Sequence, residues 1–197
     1  MRIALLLAAL LGALAVVLGF VLTRDGGEVD FRGSRPPEGL TMPAFAVVTG
    51  SGTVSSDGLR GKAVAVTFLD TQCTEACPIV AAQIGDAVRL LGEDREQVVA
   101  LAFSVDPVND TPARIDSFLR RFRALDELQY VGGTVAQLRP VWQDFQILAS
   151  ADTGDSNMHS APVRVYDPEG RWRSTLHPGV DLSAPNLVHD LRAALDD

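Results

Sequence analysis

The sequence predicts an α/β domain, a central mixed sheet flanked by helices, carried behind an N-terminal transmembrane anchor helix. Three observations predict it. Two short, nearly all-apolar runs, Ala63–Leu69 and residues 98–105, have the length and composition of strands buried on both faces, and a stretch of helical periodicity separates them. Two β-prone runs near the C-terminus bracket Asp167-Pro168-Glu169-Gly170, a strong reverse-turn signal. Residues 3–22 form an uncharged apolar run flanked by Arg2 and Arg24.

A helix needs about 20 apolar residues to cross the hydrocarbon core, so residues 1–24 read as a transmembrane or signal anchor. The alternative is a cleaved signal peptide, for which Ala13-Leu14-Ala15 has the small-x-small form. Cleavage there would leave residues 16–22 as an apolar stump, which favours a retained anchor. Arg2 precedes the run while Asp25, Glu28 and Asp30 follow it, an order that keeps the amino terminus inside. The expected location is the cell membrane, single-pass, with the C-terminal domain on the extracytoplasmic side. Residues 25–43, rich in Gly, Pro and charge, read as a linker, and residues 44–197 as one compact domain.

Within that domain Gly50-Ser51-Gly52 turns a leading hairpin between residues 45–48 and 53–55. After the strand Ala63–Leu69, Val80, Ile84, Ala87, Val88 and Leu91 recur at helical spacing until Gly92 stops the helix. Strand, helix and strand imply a parallel pair joined by a right-handed crossover. Thr111-Pro112 caps and starts another helix, with Ile115, Phe118, Leu119 and Phe122 as its stripe. Val135, Leu138, Val141, Trp142 and Phe145 outline a further helix that Pro140 should kink or shorten. Residues 149–157 are small and polar and read as a surface loop, while Leu187, Val188, Leu191 and Leu195 mark a last helix. The resulting order, β-α-β-α-(α)-β-β-α, is that of a thioredoxin-like domain.

Of 17 basic residues Arg2 and Arg24 flank the apolar run, which leaves 15 against 25 acidic ones. Such a balance, without a basic patch, excludes nucleic acid as a partner. The chemistry points to Cys73-Thr74-Glu75-Ala76-Cys77-Pro78, which holds the only two cysteines. In this topology the first strand of the final hairpin runs antiparallel to Ala63–Leu69, so the loop ending at His159 to Pro162 should lie over the cysteine loop. A helix N-terminus favours thiolate, the form that binds metal or attacks a disulfide. The residues by themselves allow a redox dithiol, a copper site or an inert disulfide. The three-residue spacer and the distal histidine tip the reading toward Cu(I), which accepts soft ligands and low coordination numbers.

Thr71-Gln72-Cys73-Thr74-Glu75-Ala76-Cys77-Pro78, then Ser104-Val105-Asp106-Pro107 with Asp110-Thr111-Pro112, then His159-Ser160 leading to Tyr166-Asp167-Pro168-Glu169-Gly170, resemble the ordered signature of the Sco (SenC) proteins. The resemblance implies a membrane-anchored, thioredoxin-like copper protein with Cys73, Cys77 and His159 as metal ligands. It implies a copper chaperone that serves the binuclear copper centre of cytochrome c oxidase during assembly. The expected partners are the copper-bearing oxidase subunit, the membrane and a thioredoxin-like reductant. A membrane-anchored thiol-disulfide reductase, with Cys73 and Cys77 as its catalytic pair, is the alternative. Thr74 stands where many members have proline, and Met158 where many have aspartate, which changes the stiffness of the loop and removes a partner for the imidazole.

Other conspicuous residues have simpler readings. Met158 reads as a partly buried loop side chain, His177 and His189 as surface residues, and Trp142 and Phe145 as core. Asp106 reads as a strand-to-turn exit, Asp70 as a strand-end cap beside the thiols, and Arg120, Arg121 and Arg123 as a solvated helix face.

Overall fold

The structure, a computed structural model, describes residues 30–196. Residues 1–24, expected to span the membrane, lie outside that range; among the described residues no helix is long and apolar enough to cross a membrane.

The two apolar runs are the central strands of a five-stranded mixed sheet. The strands are β3 (Ala63–Leu69), β4 (Val98–Ser104), β5 (Gln129–Val131), β6 (Val163–Tyr166) and β7 (Trp172–Leu176), in the order β5-β4-β3-β6-β7. β3 and β4 are parallel, from Ala63 beside Val98 to Leu69 beside Ser104, and the helix α1 (Ala76–Leu90) joins them. β6 runs antiparallel to β3, with Val64 beside Tyr166 and Val66 beside Arg164, so its N-terminal approach lies toward the end of β3. β5, three residues on the edge beside β4, escaped the sequence reading because so short a run shows no periodicity.

Alternation along β3 and β4 divides the core in two. Val64, Val66, Phe68, Leu101 and Phe103 pack with Val47 and Val54 of the leading hairpin, β1 (Ala46–Thr49) and β2 (Gly52–Ser55), and with Leu138, Val141 and Trp142 of α3 (Val135–Asp144). Phe103 is the centre of this half: its ring centroid lies 5.0 Å from Phe45 and 5.7 Å from Phe68. The opposite face carries Ala63, Ala65, Ala100 and Ala102, all buried. Small side chains there let α1 and the last helix, α5 (Ala184–Asp196), approach closely. Trp142 and Phe145 are core as expected, and the Trp142 indole N–H donates to the Ser104 carbonyl at 2.9 Å.

Three local expectations change. α3 runs through Pro140 without a break, because the proline is on the exposed side and Ala136, whose carbonyl loses its partner, also faces water. Residues 149–157 are not wholly a surface loop: Ser150–Thr153 forms a helical turn, α4, with Ala149 and Ser150 buried. The described part of the expected linker lies along the final hairpin, with bridges Ser34 to Thr175 and Thr41 to Arg171. The fully buried Asp190 carboxylate holds it there, accepting from the Arg32 and Gly33 N–H groups at 2.6 and 3.0 Å and from the Ser174 hydroxyl.

Candidate metal centre

β3 ends at Leu69 and α1 begins at Ala76, so residues 70–75 turn the chain from strand into helix. Cys73 lies in that turn. Cys77 and Pro78 are the second and third residues of α1, where a missing N–H leaves no intrahelical bond unmade. Glu75 offers α1 no side-chain cap. The Cys73 sulfur takes that role instead, accepting from the Cys77 N–H at 3.5 Å, while the Asp70 N–H donates to the Cys77 sulfur at 3.5 Å. Both sulfurs are therefore set by the backbone before any ion arrives.

His159 comes from the loop before β6, as the antiparallel register requires. Its Nε2 lies 3.1 Å from the Cys77 sulfur. Its Nδ1 lies 3.2 Å from the Ser160 carbonyl, which can only accept, so Nδ1 carries a proton and Nε2 turns to the sulfurs. The two Sγ atoms and one ring nitrogen lie within 4.8 Å of one another, and among the described residues this is the group of His, Cys, Asp and Glu that could hold a metal ion. Metal–sulfur bonds of about 2.3 Å in a trigonal site put donors about 4 Å apart, so closure asks for movements of under about 1 Å. Two soft sulfurs and an imidazole suit copper(I).

The cysteines are free thiols with unlike protonation. The hydrogen bond from Cys77 acts against burial and, with those from His159 and the Cys77 and Glu75 N–H groups, lowers the Cys73 thiol to about 3. Burial pushes Cys77 far above the usual thiol range, and its bond to Cys73 adds to the rise. Burial also draws the His159 imidazole down, but the bonds to Cys73 and the Ser160 carbonyl and the charge on Cys73 outweigh it, so the imidazole is raised. His159 Nε2 lies 3.1 Å from the Cys77 sulfur, and the charge sits on Cys73, the less buried of the two sulfurs around the ring. Copper would therefore displace a proton from Cys77 and, below its raised pKa, one from His159.

Beneath the cysteine loop lies a polar layer that sequence reading only touched. Asp70 is fully buried: one carboxylate oxygen accepts from the Gln72 N–H at 2.7 Å, the expected strand-end cap, and the other from the Ser150 hydroxyl at 2.7 Å. Burial raises its pKa, with the charges of Asp110 and Asp106 adding. Asp110, also buried, accepts from the Thr71 N–H and hydroxyl at 2.9 and 2.6 Å, from the Ser104 hydroxyl and from the Tyr130 hydroxyl. Asn157 ties the loop before His159 to the cysteine loop by accepting from the Thr74 N–H at 2.9 Å. Carboxylates within a Ser-x-Asp-Pro and Asp-Thr-Pro pattern were the one sequence signal for this layer.

The remaining candidates stay apart from the cluster. His177 is exposed, and His189 is half-buried on α5 with Nδ1 3.2 Å from Asp190. Met158 is 55 % exposed, more open than expected of a partly buried loop side chain. Asp106 ends its strand as a turn residue, accepting from the Asn109 side chain at 2.6 Å.

A family model described as SCO1/SenC matches residues 34–196. The chain belongs to the SCO1/SenC family. Among curated relatives, a SCO2-like protein of Rickettsia prowazekii is 25% identical over 151 residues, 73% of this chain and 72% of its own length. The solved ScoI of Bradyrhizobium japonicum with copper bound is 26% identical, with a TM-score of 0.66 over 79% of this chain and 100% of that one. The apo Sco1 of Thermus thermophilus is 25% identical, with a TM-score of 0.70 over 86% of this chain and 99% of that one. Solved Sco relatives hold copper, and this SCO1/SenC chain has a Cys-Cys-His group that could bind it.

Proposed function

We propose that this chain is a copper chaperone whose Cys73, Cys77 and His159 hold the ion and pass it to the binuclear copper centre of cytochrome c oxidase during assembly. The observation that carries the reading is the convergence of two sulfurs and one imidazole nitrogen within 4.8 Å. The solved BsSco, which has the same fold, is a member of the Sco family of cytochrome c oxidase assembly proteins, which supports the oxidase subunit as recipient. Residues 1–24 anchor the chain in the cell membrane, with the domain on the extracytoplasmic side. In delivery, copper is the cargo: the recipient's ligands replace the chain's three one at a time, and the protons return to Cys77 and His159.

An anaerobic Cu(I) titration against a competing chelator, with X-ray absorption of the product, tests the reading. One ion per chain with two sulfur neighbours and one nitrogen neighbour is expected. His159→Ala should weaken binding while leaving the Cys73–Cys77 disulfide able to form, and Cys73→Ser or Cys77→Ser should abolish both. Affinity should rise with pH throughout, because Cys77 gives up a proton at every working pH, and more steeply below the raised pKa of His159, where the imidazole gives up a second. Neighbours that are only oxygen and nitrogen would refute the ligand set.

A second reading has its own observation. An acidic Cys73 beside a protonated, buried Cys77 is the arrangement of a thiol-disulfide reductase. Cys73 would attack a partner disulfide, and Cys77, losing its proton, would then displace the reduced partner and close the Cys73–Cys77 bond. Keeping the pair reduced calls for a thioredoxin-like reductant. Oxidase assembly that survives His159→Ala but not Cys73→Ser would favour this second reading.

A further inference from the structure

The arginines of α2 (Pro112–Arg121) stand out in a chain whose net charge is −8. They are exposed, as expected of a solvated face. Arg120 pairs with Asp116 on its own helix, at 2.9 Å. Arg121 instead lies with its guanidinium carbon 5.5 Å from the Phe122 ring centroid, and Arg114 donates to the Asn109 carbonyl at 3.3 Å. Neither has a carboxylate partner among the described residues.

These two arginines border a groove of about 540 Å³ whose opposite wall is the cysteine loop. Its apolar lining is Pro78, Phe118 and Phe122, the two rings in edge contact at 4.9 Å, and Cys73 forms part of the same wall. No acidic side chain lines it. The volume is within the range of about 300–1,000 Å³ typical of ligand sites. The rim, including Arg114 and Arg121, is exposed, so the groove is open to an extended segment and does not enclose a small molecule.

We propose that this groove docks an extended segment of a partner protein that carries a carboxylate and an apolar or aromatic side chain next to the sulfur meeting Cys73. The carboxylate would meet Arg114 and Arg121 and the apolar group would lie on Phe118, Phe122 and Pro78. Charge complementarity of this kind steers encounter and fixes register, and two unpaired arginines supply it on an otherwise acidic protein. The proposal rests on the delivery reading only in that a partner's sulfur comes to Cys73.

The test compares two aromatic disulfides on the reduced protein. Dithiobis(nitrobenzoate) carries carboxylates; dithiodipyridine carries none. In each case the Cys73 sulfur displaces one half of the reagent and forms a mixed disulfide. Cys77 then loses its proton to solvent and displaces the second half, so two protein thiols are oxidised and one reagent disulfide is reduced. Arg114→Glu and Arg121→Glu should each slow the nitrobenzoate reagent about five- to tenfold while changing the dithiodipyridine rate less than about twofold. Arg120→Glu, the same charge change on the same helix outside the groove, should leave both within about twofold. The preference should fade in salt, as the Debye length falls from about 10 Å at 0.1 M to about 3 Å at 1 M. A short peptide of glutamate and phenylalanine should compete with the nitrobenzoate reagent, and its lysine counterpart should not. The proposal is overturned if Arg120→Glu slows the reaction as much as the groove variants, if both reagents respond equally, or if neither peptide competes. None of these measurements involves copper, so their failure leaves the metal site standing, and a failed copper titration leaves the groove standing.

Discussion

Replacing Asp110 by alanine should cost about 3–5 kcal/mol, although the residue touches neither cysteine. Its carboxylate takes four hydrogen bonds, from the Thr71 N–H and hydroxyl, the Ser104 hydroxyl and the Tyr130 hydroxyl. Not all of these become orphans. Tyr130 keeps a second acceptor in the Leu69 carbonyl at 2.8 Å, and Thr71 is only half-buried, so water can reach its donors. Ser104 is fully buried and loses its carboxylate acceptor outright. One stranded buried donor at about 1–3 kcal/mol, with charge-assisted bonds of about 1.5–3 kcal/mol each in part replaced by water, brings the sum to the stated range. Against a total stability of about 5–15 kcal/mol that is a large share. Urea unfolding of the reduced protein should show a lowered midpoint at unchanged m-value, and Asp110→Asn, which keeps the shape and one acceptor oxygen, should lose about 1–2 kcal/mol. An alanine variant within about 0.5 kcal/mol of the parent would refute the reasoning.

Two further outcomes follow from the same residues. The folded pKa of Cys73, about 3, lies below the ordinary thiol value of about 8.5, so its contribution to stability is complete above that value and lost as pH falls through about 3; thiolate absorbance of the reduced protein should report one thiolate per chain at neutral pH, and two or none would contradict the unlike pair. Asp190→Ala should free the segment that crosses the final hairpin, raising hydrogen exchange at the Arg32 and Gly33 amides at least tenfold while leaving Cu(I) uptake unchanged, and unaltered exchange would show that the bridges at Ser34 and Thr41 suffice.

Much of the fold was legible because its central elements are defined by local pattern. Ala63–Leu69 and residues 98–105 are buried on both faces and so are nearly all apolar; Thr111-Pro112 starts α2 with its hydroxyl accepting from the Arg114 N–H; and the turn 167–170 leaves little choice but a hairpin. The convergence of Cys73, Cys77 and His159 was legible for a related reason. Only two cysteines exist, and an antiparallel neighbour to β3 has to bring the approach to β6 over the loop that holds them.

What only the tertiary structure decided are quantities that depend on who stands next to whom. Sequence assigns no pKa, and the split between an acidic Cys73 and a protonated Cys77 comes from the hydrogen bond between the two sulfurs and from the deeper burial of Cys77. Ser150 lies in a stretch that reads as polar loop, yet it is buried because Asp70, eighty residues earlier, needs a donor. Arg121 sits in a run of arginines that local pattern assigns to solvent, and only the packing of α2 beside the cysteine loop places it on the rim of a groove with Cys73. Periodicity records which face of an element is buried, because burial repeats along the chain; the pairing of one polar group with another repeats nowhere, and is settled only when the chain has closed on itself.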